Sequence, residues 1–294
     1  MTRYIDEHRD RFGVEPICRT LQVAPSSYYA SRSRSPSAHD RRDEELGAEV
    51  ARVHAQQFGV YGQRKVWRQL AREGIATGRD RVARLMRGLG LAGVRRERHP
   101  RTTWPAVAPE RPADLVGRVF TAPAPNRLWV ADITYVRVRS GFCYTAFVVD
   151  AFSRRIVGWR VALTLRSELA LDALEMAVWA RGRSLEGLVH HSDRGTQYLS
   201  IRYAQRLLEA GIAGSVGSRG DSYDNALAES VNGLYKAELI HRQNWQTVEQ
   251  VELATAAWVD WWNHGRIHSA CGNVPPAEYE AAHQTRAAAT MVAA

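Results

Sequence analysis

The 294-residue chain predicts an α/β fold, a mixed sheet with covering helices, preceded by helical modules. Three observations carry this expectation. Residues 128 to 163 hold three β-rich runs separated by short turns; after Ser167, apolar-striped helices alternate with short apolar strands; before residue 95, apolar residues recur at helical spacing.

Taken in order, residues 1–38 form an N-terminal helical segment. Tyr4 to Arg11, Glu15 to Leu21 and Pro25 to Ala30 read as short helices, and Pro25 suits a helix start because proline is tolerated in the first turn. The last two are joined by Gln22-Val23-Ala24, a spacing shared by part of a helix-turn-helix and by an ordinary helical hairpin. Ser31 to Ala38 is a polar breaker. Residues 39–94 predict a helical DNA-binding domain of three helices, striped by Leu46/Val50/Val53, by Val66/Leu70/Ile75 and by Val82/Leu85/Met86/Leu89. Its outward sides are expected to carry the candidate DNA contacts Arg64, Lys65, Arg68, Arg81 and Arg84, with the third helix available for a groove. Residues 95–120 hold Pro100, Pro105, Pro109 and Pro112 among arginines without a clear period, and read as an extended basic linker.

Residues 121–285 make the sheet core. Leu128 to Val138, Phe142 to Val149 and Arg155 to Leu163 suggest an antiparallel meander, the first turn falling at Arg139-Ser140-Gly141. Ser167 is placed to cap a helix through Trp179. A strand (Leu188 to His191), a helix (Ile201 to Ala210), a strand (Ala213 to Val216) and a helix from near Ser222 follow. Residues 286–294 are left as a C-terminal tail.

Composition narrows the function. All of the net charge of +9 lies in residues 1–118, while the remainder is balanced, so a basic front end joins a neutral core. Such a front end suits a polyanion, since neutralised phosphates release counterions. No apolar run reaches the eighteen residues that a membrane span needs, and the charged N-terminus lacks the apolar stretch of a secretory signal, so a cytoplasmic protein is expected. Cys18, Cys143 and Cys271 are too few and too scattered for a disulfide framework or a cysteine zinc site.

Three acids stand where apolar runs meet polar stretches: Asp132, Asp193 and Glu229, with thirty-five residues between the last two. Phosphodiester chemistry requires a nucleophilic oxygen to be activated and a leaving oxygen stabilised, which two metal ions about 3.5–4 Å apart can do. Hard Mg²⁺ or Mn²⁺ prefers carboxylate oxygen, and an acid inside a strand is expensive unless a cation compensates it. Asn225, Glu229, Asn232 and Lys236 are spaced four, three and four apart, so they share one helix face, and Lys236 is one of only two lysines. Asp221 and Asp224 at that helix start suit capping, and Asp150, a possible fourth acid, suits a turn.

The segments Trp129 to Tyr135, His191 to Tyr198 and Ser218 to Ser230 resemble the catalytic blocks of bacterial insertion-sequence transposases of the IS-three family. Trp262 to His268, with Gly272, Pro276 and Tyr279, resembles the C-terminal block of that family, with Cys271 where leucine is usual. The resemblance implies a ribonuclease-H-like core similar to retroviral integrases. It implies that Asp132, Asp193 and Glu229 are catalytic residues holding two Mg²⁺ or Mn²⁺ ions, and that Lys236 and Asn225 contact DNA. It further implies cleavage of element ends followed by strand transfer into double-stranded DNA, a homo-oligomer bridging two ends, and a nucleoid-associated bacterial protein. Active members are commonly fused to an upstream-frame partner bearing a leucine zipper, and no sustained heptad is present here. The competing readings are a catalytically inactive DNA-binding regulator and a ribonuclease-H-like nuclease without strand transfer.

Overall fold

The computed structural model describes residues 1–35, 37–95, 114–182, 185–193, 195–217 and 225–293. Helices α1 (Thr2–Phe12), α2 (Val14–Thr20) and α3 (Pro25–Ser33) close around Ile5, Ile17, Cys18 and Tyr28. The expected breaker is shorter than predicted. Helix α3 runs to Ser33, and α4 (Ala38–Gln56) starts directly after Ser37, which forms a reciprocal capping box with Asp40. Helices α5 (Gln63–Arg72) and α6 (Arg79–Gly88) complete the three-helix module. Most of the expected linker, with its four prolines, lies outside the described residues, as do Arg194, Asp221 and Asp224.

The sheet follows the predicted strand order. Strands β1 (Leu128–Val138), β2 (Gly141–Asp150) and β3 (Ile156–Ala162) form the antiparallel meander. Then come α7 (Ser167–Arg181), β4 (Val189–Ser192), α8 (Ile201–Glu209), β5 (Ala213–Val216) and α9 (Ala226–Glu238). Ser167 opens α7 as a helical residue, with Arg166 rather than Ser167 in the cap position. A short turn (Ile240–Arg242), α10 (Val248–His264), a turn at Ser269–Cys271 and α11 (Pro276–Ala293) end the described chain, so the residues expected as a tail continue α11. The sheet order is β3-β2-β1-β4-β5, with β4 parallel to β1 and β5 parallel to β4, a mixed ribonuclease-H-like sheet.

Alternation along the strands sends residues to two cores. Trp129 and Ala131 face one core with Leu169, Leu174 and Tyr203 from α7 and α8. At Gly158 the backbone of α7 comes so close that a Cβ would stand 2.0 Å from the Ala173 carbonyl oxygen, so only glycine fits there. Val130, Val136 and Val138 face the other core with Val231, Tyr235 and Trp258. That second core does not stop at the sheet and its helices. It continues into Val50, Val53, Val66, Leu70 and Val82 of the three-helix module.

The sequence suggests a basic module tethered by a linker; the structure instead docks the module onto the C-terminal block. The Ile267 N–H donates to the Tyr61 hydroxyl at 2.7 Å, Trp261 Nε1 donates to Gln57 Oε1 at 2.9 Å, and the Phe58 and Trp261 rings lie 4.8 Å apart. Arg242 donates to the Phe58 carbonyl, and Arg72 pairs with Glu278 at 2.6 Å. Behind this contact Arg266 forms a buried two-point ion pair with Glu238, the side chains 6% and 7% exposed. Among the described residues no helix is long and apolar enough to cross a membrane.

Candidate active site

The site grows from the point where β4 ends. Only Leu128 to Ala131 of β1 pair with β4, so the next residue, Asp132, is the first on that edge released from the ladder. Ser192 closes β4 and puts Asp193 just beyond it. From the other side, α9 begins after Asn225 and brings Glu229 in its first turn. All three acids line one cleft of about 1600 Å³, together with Asn225, Asn232 and Lys236. The one-face spacing expected for the last helix is therefore realised.

Two of the carboxylates are anchored by hydrogen bonds. Asn232 Nδ2 donates to Asp132 Oδ2 at 2.9 Å, and the Ile133 N–H donates to Asp132 Oδ1 at 2.8 Å. The Gly195 N–H donates to Asp193 Oδ1 at 3.0 Å. Asn225 Nδ2 donates to the Ala131 carbonyl at 2.8 Å, clamping the start of α9 to β1 immediately before Asp132. Burial, then the charges of Asp193 and, after the two hydrogen bonds, Glu229, push the Asp132 carboxyl up to about 8. Burial likewise raises Asp193, against the opposing pull of the Gly195 N–H and His191. Burial is the largest cause of both shifts, and at Asp132 the neighbouring carboxylates add to it. His190, buried behind the site beside the Tyr203 hydroxyl at 3.0 Å, is lowered by burial to about 4 and stays neutral.

Lys236 stands with its ammonium 4.1 Å over the Tyr135 ring, a cation–π contact. Burial lowers its pKa while Asp132 opposes the shift. Asp150 accepts N–H donors from Asn126, Phe152 and Ser153, so this acid shapes a turn, as the sequence suggested.

The donor set is all oxygen, the chemistry that Mg²⁺ or Mn²⁺ takes. Asn225 Oδ1 and Asn232 Oδ1 are buried without a hydrogen-bond partner among the described residues, two further oxygens at the same wall. No group of three His, Cys, Asp or Glu among the described residues is placed to hold an ion.

The expected DNA contacts on the helical module diverge. Arg64 and Arg68 are exposed on α5. Lys65 departs from the outward position expected of it: it is half-buried over the Tyr61 ring at 4.8 Å, and burial, with the charge of Arg266, lowers it to about 7. Arg81 and Arg84 both pair with Asp43, at 2.7 and 2.6 Å. Sequence reasoning put Asn232 on the right face without giving it a role. It gave no role to Tyr135 and Arg137, although their alternation with Val136 and Val138 already marks them as the outward side of β1, nor to Arg139, exposed just beyond its end.

Residues 122–222 and 210–276 match models of an integrase core domain, and residues 40–99 match an HTH-like domain. The chain is 56% identical over 268 residues to the putative transposase for insertion sequence element IS986/IS6110 of Mycobacterium tuberculosis, covering 90% of this chain and 96% of the relative. It is 30% identical over 280 residues to the transposase InsF for insertion sequence IS3A of Escherichia coli K12, covering 94% and 97%. Among solved structures it is similar to the HTLV-2 integrase catalytic core domain in complex with magnesium, at 18% identity and TM-score 0.42, over 54% of this chain and 98% of that one.

Proposed function

As a member of the insertion-sequence transposases of the IS-three family, this chain acts in DNA transposition, and we propose that Asp132, Asp193 and Glu229 are the residues that carry its polynucleotidyl transfer. One observation carries the reading: three acids far apart in sequence line a single cleft, where burial and the charges of the other two press the innermost towards neutrality. The three carboxylates would hold Mg²⁺ or Mn²⁺, two ions in the full reading, which when bound activate the attacking oxygen and stabilise the leaving one.

The chain's own groups supply the rest. Asn232 fixes the Asp132 carboxylate through Oδ2. Asn225 ties the start of α9 to β1, which sets the distance from Glu229 to Asp132. Lys236, held over Tyr135, offers the cleft a cation for a DNA phosphate. Arg64 and Arg68 remain candidates for duplex contact from the helical module. Joining two element ends calls for a homo-oligomer, and a region read from an upstream frame is proposed to complete end recognition in the bacterial cytoplasm, at the nucleoid.

Labelled element-end duplex incubated with Mg²⁺ or Mn²⁺ tests this. Wild-type protein is expected to give cleaved and joined strands, and Glu229→Gln to lose both by about a hundredfold or more, since even outer-shell partners of a metal site are worth 10–100-fold. Cleavage without joining would make the protein a nuclease. Binding without products, unchanged in the variant, would make it a regulator.

A further inference from the structure

The cleft does not end at the carboxylates. Because β4 stops after pairing with Ala131, the same edge of β1 has no strand partner among the described residues until Trp245, which bridges Val138 and accepts from the Arg139 N–H at 3.0 Å. Backbone groups alternate along a strand. The Val189 N–H donates to the Arg127 carbonyl and the Arg139 N–H donates to Trp245, so odd-numbered residues of β1 point their backbone groups to this edge. The Ile133 N–H is taken by Asp132. The N–H groups of Tyr135 and Arg137 therefore face the open cleft as available donors.

Side chains of matching character surround them. Arg137 and Arg139 are exposed and form no ion pair among the described residues. Tyr135 is 47% exposed, with Lys236 over its ring and the exposed Phe142 edge-on at 5.7 Å. Gln243 and Asn244 face them from the segment leading to Trp245. Apart from Asp132, Asp193 and Glu229, no acid among the described residues lines the cleft. A positive groove with an exposed ring and amides is the chemistry of unpaired nucleic acid, which puts phosphates on cations and bases on aromatic faces. An added peptide strand would instead need pockets for its alternate side chains, and here the outward positions are arginine and tyrosine.

We propose that the open stretch of β1 at Tyr135 to Arg137, with the Arg139 side chain just beyond the strand's end, is a track for an unpaired length of DNA strand leading away from the carboxylates. Its phosphates lie on Arg137, Arg139 and the two free N–H groups, and one base lies against Tyr135. From Asp132 to Arg139 the strand spans roughly 23 Å at about 3.3 Å per residue, enough for several nucleotides. The track rests on the reading of the carboxylates above, because it gives the strand its direction from them.

The test separates the two. The full chain is titrated in EDTA, where no strand is cut, with a fluorescein-labelled 12-nucleotide single strand and with the same sequence as a hairpin duplex, across a salt series. Arg137→Gln/Arg139→Gln is expected to flatten the slope of log K against log salt for the single strand by about 1.4, at about 0.7 per phosphate lost. Arg137→Lys/Arg139→Lys should keep it. Tyr135→Leu is expected to weaken single-strand binding about tenfold, and Tyr135→Phe to restore it. The hairpin should change less in every case. Slopes and affinities unchanged from wild type overturn the track, as does an equal loss for hairpin and single strand, or altered self-association with DNA binding intact. The titration needs neither metal nor cleavage, so failure of the joining assay by wild-type protein alone would strike the carboxylate reading and leave these slopes to stand by themselves.

Discussion

The basic residues of the helical module and those of the cleft differ in what they already touch. On the module, Arg81 and Arg84 share Asp43, Arg72 holds Glu278, Arg52 pairs with Glu49 and Glu73, and Lys65 is sunk against Tyr61. In the cleft, Arg137 and Arg139 have no acid beside them among the described residues. The charge excess of the first 118 residues therefore overstates how much of it reaches DNA, while the balanced remainder conceals a positive track. Net charge counts residues; availability is decided by their partners.

The largest effect that would sharpen this contrast comes from a charge used inside the fold. Arg266→Ala leaves Glu238 buried without its partner and is expected to destabilise by about 3–5 kcal/mol, read as a shift in the urea midpoint. Arg137→Gln/Arg139→Gln should stay within about 0.5 kcal/mol, as exposed changes usually do. If the cleft pair proved equally costly, the distinction between structural and available charge would collapse.

Lys65 gives the next effect, and a pH dependence with a definite sign. Its folded pKa of about 7 lies below the ordinary value of 10.5, so the unfolded chain holds the proton more tightly. Stability is therefore expected to rise as pH climbs from about 7 towards 10.5, and the penalty is fully present below 7. Lys65→Met should stabilise by about 1 kcal/mol or more at pH 7, flatten that rise, and leave the salt slope of DNA binding unchanged. A weaker slope in this variant would return Lys65 to the DNA surface.

The smallest effect comes from freeing module charges. Asp43→Asn releases Arg81 and Arg84, which both pair with it. Duplex affinity at low salt should rise, and the salt slope should steepen by about 0.9 for each arginine that then reaches a phosphate. An unchanged slope would mean that α6 does not face DNA at all.

Much of the site could be read from the sequence because its signals are local. The β-rich run from Leu128 to Val138 marks β1, the spacing of Asn225, Glu229, Asn232 and Lys236 marks a helix face, and each acid follows an apolar run. What could not be read depends on partners far along the chain. Arg64, Lys65 and Arg68 look alike at helical spacing, and only the Tyr61 ring beneath its ammonium marks Lys65 as the inward one. The docking of Tyr61 against Ile267 leaves no mark on either segment alone, since an apolar stripe does not say which surface will cover it. The track was hidden for a different reason: the four-residue strand is expected, but its pairing with only Leu128 to Ala131 of β1 is a register that neither strand shows alone.

The shared core of the module and the C-terminal block also has a consequence in time. Gln57, Phe58 and Tyr61 are made early, and their partners Trp261 and Ile267 follow some two hundred residues later. At roughly 5–20 residues per second, the nascent module waits on the order of 10–40 s with an apolar face uncovered. During synthesis that face is the part of the molecule most in need of shelter, and the arrival of Trp261 ends the need.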